Sequence, residues 1–313
     1  MTRAFVFPGQ GSQAVGMGRE LAEAFEVARL TFEEVDDALN QRLSRLMFEG
    51  PDADLTLTEN AQPALMAVSV AVMRVLKDQG GLDLARHAAF VAGHSLGEYS
   101  ALCAAGAFSL SDTARLLKLR GQAMQKAVPV GKGAMAALLG AELEQAQSIA
   151  ADAAQGDVCT VANDNSSGQV VISGHAEAID RAIMLAAERG LKRSVRLPVS
   201  APFHCPLMQP AADAMAEALA NVTISPPIVP VVANVTASAV SDPNAIRRML
   251  VDQVTGMVRW RESVLFMKEQ GVDTLVELGS GKVLSGLAKR IDKELAGTSV
   301  QGPADVESFL KTL

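Results

Sequence analysis

A serine hydroxyl becomes a nucleophile when the backbone thrusts it outward and an imidazole stands ready to take its proton. Gly93-His94-Ser95-Leu96-Gly97 has the G-x-S-x-G spacing that allows the first condition. Its glycines let neighbouring backbone pass close to a tight turn. A helix starting behind the turn aims unpaired N–H groups at the same spot, which favours an oxyanion. The N–H of Leu96 is one candidate donor. The bland alternative is an ordinary Gly-rich turn, and the motif alone does not separate the two.

The base must come from four histidines. His94 adjoins Ser95, so a sharp turn should send its side chain elsewhere. His175 opens a predicted helix and reads as a cap or surface residue, and His87 beside Arg86 reads as solvated. His204 lies in Ala201-Pro202-Phe203-His204-Cys205-Pro206, a stiff, apolar loop. A lone loop histidine is more often structural than catalytic, but elimination makes His204 the best candidate. No acid that would hold its ring is evident nearby.

Arg120 is the third residue of interest. A helix predicted from about Ser109 to Lys126 opens on the capping pair Ser109 and Asp112. Its apolar stripe runs through Leu116, Leu117, Ala123, Met124 and Ala127, and Arg120 falls inside that stripe. A guanidinium directed inward must meet an anion or hydrogen-bond acceptors. Two readings stay open: an internal Asp or Glu partner, or a bidentate site for a substrate carboxylate.

The elements that must position these residues read as α/β. A strand at 4–7 ends at Pro8-Gly9-Gln10-Gly11, a helical region spans about 16–40, and an apolar helix spans about 60–77. The strand 88–92 leads into the serine turn. Strands at 134–138, 158–163, 169–173 and 192–197 then alternate with helices at 142–154 and 177–189, with a turn at 164–168. This β-α-β-β-α-β order is the ferredoxin-like pattern. The small domain, 129–197, reads as an insertion in a large domain made of 1–128 and 198–313. A loop from Pro198 to Pro206 follows, with a helix to about 220 and a strand within 228–235. The series closes with a helix at 260–270, a strand at 274–278 and a last helix from about 283.

A chain of 313 residues can bury its core without staples. Hydrophobic residues make up 49% but aromatics only 4%, so the core must be built from Ala, Leu, Val and Met. That composition suits stacked helices and buried parallel strands. A net charge of −7 argues against a nucleic-acid partner. The three cysteines lie far apart without C-x-x-C spacing, so neither a metal site nor a disulfide framework is indicated. The apolar stretch 4–7 is too short for a signal peptide, and nothing approaches a membrane span. A cytoplasmic protein with no membrane partner is expected.

Several stretches resemble the malonyl-CoA:acyl carrier protein transacylase family of fatty acid synthesis. They are Phe7-Pro8-Gly9-Gln10-Gly11-Ser12-Gln13, Gly93-His94-Ser95-Leu96-Gly97-Glu98-Tyr99 and Lys118-Leu119-Arg120-Gly121. Ala162-Asn163, Gln169-Val170-Val171-Ile172-Ser173-Gly174, Ala201-Pro202-Phe203-His204 and Glu277-Leu278-Gly279 continue the series in family order. The resemblance implies an α/β-hydrolase-like domain with a ferredoxin-like insertion. It implies ping-pong transfer of malonyl from malonyl-CoA, through an ester on Ser95, to the phosphopantetheine thiol of acyl carrier protein, for fatty acid or polyketide synthesis. His204 would shuttle the proton, and the backbone N–H groups of Gln10 and Leu96 would hold the oxyanion. Arg120 would pair with the free carboxylate, and the backbone carbonyl of Gln253 would replace the missing acid. Gln62 and Asn163 would line the cleft. Phe203 and Leu96 fit the malonyl rather than the methylmalonyl pattern.

No cofactor or metal is implied, since coenzyme A is part of the substrate and phosphopantetheine belongs to the acceptor. The chain is expected to act as a monomer. The carrier protein is typically acidic, so a basic docking face is expected. Arg189, Lys192, Arg193 and Arg196 are one candidate group, and Lys282, Lys289 and Arg290 another; each residue also reads as part of a solvated face.

Three rivals remain on sequence grounds. Gly9-Gln10-Gly11-Ser12-Gln13-Ala14 fits a loose dinucleotide-binding G-x-G-x-x-A, but more helix follows instead of a strand ending in an acid. A serine hydrolase would share Ser95 and His204 and has no need of Arg120. A catalytically silent carrier-binding subunit would need neither.

Overall fold

A computed structural model describes residues 1–199 and 201–313; Ser200, inside the loop expected over 198–206, lies outside them. The chain opens on strand β1 (Arg3–Phe7) and then runs through helices α1 (Arg19–Ala24), α2 (Glu26–Leu39), α3 (Leu43–Glu49) and α4 (Asp52–Thr56). The long helix α5 (Thr58–Gly80) and the short α6 (Leu84–His87) lead to β2 (Phe90–Gly93). Helices α7 (Gly97–Ala104) and α8 (Leu110–Ala127) follow. Next come β3 (Gly133–Leu139), α9 (Leu143–Ala154), β4 (Cys159–Ser166), β5 (Gln169–His175), α10 (Ala176–Glu188) and β6 (Arg193–Arg196). A 3-10 turn at Pro206–Met208 opens α11 (Gln209–Ala220), and β7 (Val231–Ala233), β8 (Ser238–Val240) and α12 (Pro243–Thr255) succeed it. The chain ends with α13 (Trp260–Glu269), β9 (Thr274–Leu278), α14 (Val283–Ile291), β10 (Ala296–Val300) and α15 (Pro303–Leu310).

The result is a mixed α/β molecule with two sheets. The larger has the order β10-β9-β1-β2-β7-β8, parallel except where β8 returns against β7. Successive side chains of a strand point to opposite faces, and both faces of this sheet are covered. Phe5 and Phe7 of β1 join one apolar core while Ala4 and Val6 join the other. That explains why β1 reads as a continuous apolar run over residues 4–7.

The smaller sheet has the order β4-β5-β3-β6, with every pairing antiparallel. Ala136 and Leu138 of β3 face α9 and α10 in a separate core with Ile149, Ile172 and Ile179. Met135 and Ala137 alternate with them and join the main core instead. The small sheet therefore lies with one face on its own helices and the other toward the main core.

Three expectations need correction, and one helix was not anticipated. The helical region at 16–40 is broken at Phe25, whose φ of −132° and ψ of 120° separate α1 from α2. The turn expected at 164–168 shrinks to its end, because β4 runs to Ser166 through two register irregularities and Gly168 takes φ 73°. The helix starting at Val283 is not the last element. The strand β10 that follows it is largely exposed and only weakly apolar, so periodicity gave no sign of it. Helix α12 was also missed, although Asp242 caps its Ala245 N–H and Pro243 takes its first turn, a recognisable start signal. No helix among the described residues is long and apolar enough to cross a membrane.

Candidate active site

Three neighbouring parallel strands end side by side, and the turns beyond them supply the first part of the site. Carboxyl ends of parallel strands are where open α/β sheets bind ligands. Beyond β1 lie Gly9 and Gln10, beyond β2 lies Ser95, and beyond β7 lies Asn234. The close approach is enforced by glycine. A Cβ on Gly97 would sit 2.2 Å from the Phe7 carbonyl oxygen, and one on Gly93 would sit 1.9 Å from Gly97 backbone. Neither neighbour can swing away, so Gly97→Ala should lower stability by at least about 1 to 3 kcal/mol, read as a fall in the thermal midpoint. An unchanged midpoint would show that this packing does not hold the turn.

Ser95 takes φ 53° and His204 φ 56°, both in the left-handed region that side-chain-bearing residues seldom adopt. Ser95 is held there from both sides of its backbone. Its N–H donates to Asn234 Oδ1 at 2.8 Å, and its carbonyl accepts from Gln253 Nε2 at 3.0 Å. Asn234 Nδ2 also donates to the Gly93 carbonyl at 2.7 Å.

Ser95 Oγ lies 2.8 Å from His204 Nε2, and His204 Nδ1 lies 2.9 Å from the backbone carbonyl of Gln253. A carbonyl only accepts, so Nδ1 must carry the ring proton. Nε2 is then the bare acceptor, and the Ser95 hydroxyl donates to it. Burial pushes His204 down to about 3, the Arg120 charge adds to this, and the Gln253 carbonyl partly opposes it. The ring is therefore neutral at physiological pH, as a proton acceptor must be.

This has a consequence for stability. A histidine near its ordinary value in the unfolded chain gains a proton on acidification that the folded ring refuses. The stability contributed by the neutral ring is present above about pH 6.5 and is lost as the pH falls toward 3. Acidification from about pH 7 to about pH 5 should therefore cost the wild type about 2 kcal/mol more than it costs His204→Gln. Denaturant unfolding at the two pH values measures this; equal losses would mean that the imidazole titrates normally.

Arg120 is 1% exposed and stands beside the pair. Its Nη1 donates to Gln62 Oε1 at 2.8 Å, and its Nη2 donates to Gln253 Oε1 at 2.9 Å and to Ser95 Oγ at 3.1 Å. All three acceptors are uncharged. The ring of Tyr99 lies 5.7 Å from the guanidinium carbon, and Nε has no hydrogen-bond partner among the described residues. The guanidinium thus points at the serine with donor capacity left over, a geometry suited to a small carboxylate.

These groups open on a cavity of about 440 Å³, lined also by Gln10, Leu96, Gln62, Asn163 and Phe203. Met124, Met135 and Leu197 supply its apolar wall. Every site residue singled out from sequence therefore lies in this cavity or, for Gln253, directly behind His204. The other histidines are otherwise engaged, although His94 also lines the cavity. His94 turns to Asn165, with Nε2 2.8 Å from Oδ1, and packs against Trp260. His175 does occupy the N-cap position of α10, but its Nδ1 accepts from the Val158 N–H at 2.9 Å rather than capping the helix. His87 Nδ1 accepts from the Asp83 N–H at 3.1 Å. Gly9 is packed against the serine turn, where a Cβ would lie 2.8 Å from the His94 carbonyl oxygen. Six helices then separate β1 from β2, so the short β-α-β unit of a dinucleotide site is not formed.

Asn234, Glu98 and the side-chain role of Gln253 were missed. The signals were present but weak: Asn234 lies inside the stretch 228–235 read as a strand, and Glu98 sits in the first turn behind the serine.

Comparison with known proteins gives a consistent match. Residues 4–299 match the family model described as the acyl transferase domain. The chain is 44% identical to the malonyl CoA-acyl carrier protein transacylase of Bacillus subtilis, over 99% of this chain and 96% of that protein. It is 46% identical to the protein of the same name from Escherichia coli, over 98% of each. The solved acyl-carrier-protein-S-malonyltransferase of Bartonella henselae superposes with a TM-score of 0.97 at 56% identity, over 100% of this chain and 99% of that one. A malonyl-transacylase solved in complex with a type II PKS acyl-carrier protein superposes with a TM-score of 0.96 at 44% identity, over 100% of both chains.

Proposed function

The chain belongs to the malonyl-CoA–acyl carrier protein transacylase family of acyltransferases, and on that premise we propose that it transfers malonyl from malonyl-CoA to an acyl carrier protein through an ester on Ser95. The observation that carries this reading is the convergence of Arg120 and His204 on one hydroxyl, at 3.1 Å and 2.8 Å. A hydrolase needs the imidazole but not the buried cation, and a silent subunit needs neither.

In the first half-reaction, Ser95 Oγ attacks the thioester carbonyl while His204 Nε2 takes the hydroxyl proton. The C–S bond breaks, and the imidazolium returns that proton to the departing coenzyme A sulfur. In the second, the phosphopantetheine thiol gives its proton to Nε2 and attacks the ester, and Ser95 Oγ leaves with the proton. The backbone N–H groups of Gln10 and Leu96 stabilise the oxyanion in both, and Arg120 holds the free carboxylate. The Gln253 carbonyl takes the place of a triad acid by fixing the ring's tautomer. A charge-paired carboxylate would also weaken the Arg120 field on His204 and so strengthen the base as substrate binds.

The large unit, 1–128 and 198–313, is best read as α/β-hydrolase-like, since its nucleophile sits on a strand-turn-helix elbow. The unit 129–197 is read as ferredoxin-like, from its β-α-β-β-α-β order and separate core. A cytoplasmic monomer feeding fatty acid or polyketide synthesis fits this reading, with coenzyme A entering only as part of the substrate. Docking of an acidic carrier would use the exposed Lys192 and Arg193 with Lys282, Lys289 and Arg290, whereas Arg189 and Arg196 are already paired with Asp152 and Asp180.

The test is isotope exchange. Labelled coenzyme A should enter malonyl-CoA in the absence of carrier protein, and initial-rate plots should be parallel. Exchange that requires carrier protein, with intersecting plots, would refute the serine ester.

A further inference from the structure

Arg120 is a buried cation whose direct acceptors are all neutral, and an uncompensated buried charge is costly. Its hydrogen-bond network reaches a carboxylate one step away. Glu98, in the first turn of α7 and 2% exposed, accepts at Oε2 from Gln253 Nε2 at 2.9 Å and from the Asn234 N–H at 3.0 Å. Arginine has only donors, so Gln253 must turn Oε1 toward it and Nε2 away. An acceptor is then required on the far side, and Glu98 supplies it. Asn234, in turn, holds the Ser95 N–H.

We propose that Glu98 is the positioning counter-charge of Arg120, kept one amide away by Gln253 so that the guanidinium retains donors for an acyl carboxylate. A direct Glu–Arg pair would satisfy the cation but occupy the fork that the substrate needs. The inference rests on the carboxylate-binding role given to Arg120 above.

Two opposite charges share the free site, and a malonyl group brings a second negative one. Glu98 should respond by taking up a proton. Burial pushes its carboxyl up to about 7, opposed by the Asn234 N–H, the Gln253 amide and the Arg120 charge. The other titratable groups facing this network do not change charge near neutrality. Tyr99, beside it on α7, is pushed far up by burial, and His204 on its loop is pushed down. Arg120 on α8 remains a cation.

The measurement is KM and kcat for malonyl-CoA and acetyl-CoA from about pH 6 to about pH 8, in the wild type and in Glu98→Gln. Glutamine retains the shape and an acceptor oxygen but not the charge. In the wild type, the ratio of the malonyl to the acetyl KM should rise about tenfold across this window, as the charge on ionised Glu98 offsets that of Arg120 and opposes a second anion in the site. In Glu98→Gln the ratio should stay flat at the low-pH value. A merely structural Glu98 would change both substrates together and leave the slope in place, which would overturn the proposal.

Should Glu98→Gln fail to fold, titration calorimetry on Ser95→Ala decides. Near pH 7, in buffers of different ionisation heat, malonyl-CoA should bind with proton uptake beyond that of acetyl-CoA; equal uptake would overturn the proposal. If the wild type does not discriminate between the two thioesters at any pH, the role of Arg120 fails first and this inference with it.

Discussion

Arg120→Ala should lower kcat/KM for malonyl transfer by about 2 to 5 kcal/mol, the cost of removing one partner of a desolvated charge pair. Transfer from acetyl-CoA should fall much less, so the preference for malonyl collapses. Some loss with acetyl is expected, because Arg120 Nη2 also donates to Ser95 Oγ in the free site. The informative quantity is therefore the ratio of the two rates. Arg120→Lys should recover little of it, since an ammonium cannot span Gln62, Gln253 and a carboxylate as the planar fork does. Competition kinetics with both thioesters measures the ratio; an unchanged ratio would remove Arg120 from carboxylate recognition.

His204→Ala should reduce kcat for both half-reactions by about a hundred- to ten-thousand-fold, the usual worth of a positioned general base. Binding of malonyl-CoA should be little altered, because the carboxylate is held by Arg120. Gln253 should tolerate substitution at the imidazole end, since His204 is oriented by its backbone carbonyl and not by its side chain. Rapid-quench measurement of acylation and of transfer would separate the two steps. Loss confined to one step would mean that a different group serves the other.

Much of the site was legible because its chemistry depends on local features. Ser95 announced itself through the glycines that its turn requires, and Arg120 through a charge placed within an apolar helical stripe. His204 was reached by elimination among four histidines, which composition alone allowed. The β-α-β-β-α-β order was readable because each of its elements shows a clear period. What depends on long-range packing was not readable. The side chains of Gln253 and Asn234 act across 158 and 139 residues from Ser95, and no local pattern distinguishes them from other amides; the Gln253 carbonyl was reached only through the family resemblance. Glu98 stands directly after the nucleophile motif, but its inward orientation follows from how α7 packs against β1, β2 and β7. The absent triad acid has the same origin, since a main-chain carbonyl leaves no trace in residue type.

The most direct test is to incubate the protein with malonyl-CoA alone and locate the adduct by peptide mass spectrometry. A malonyl group should be found on the peptide containing Ser95, be discharged by holo carrier protein, and be absent from Ser95→Ala. An adduct on another residue, or transfer undiminished in Ser95→Ala, would contradict the assignment of the nucleophile.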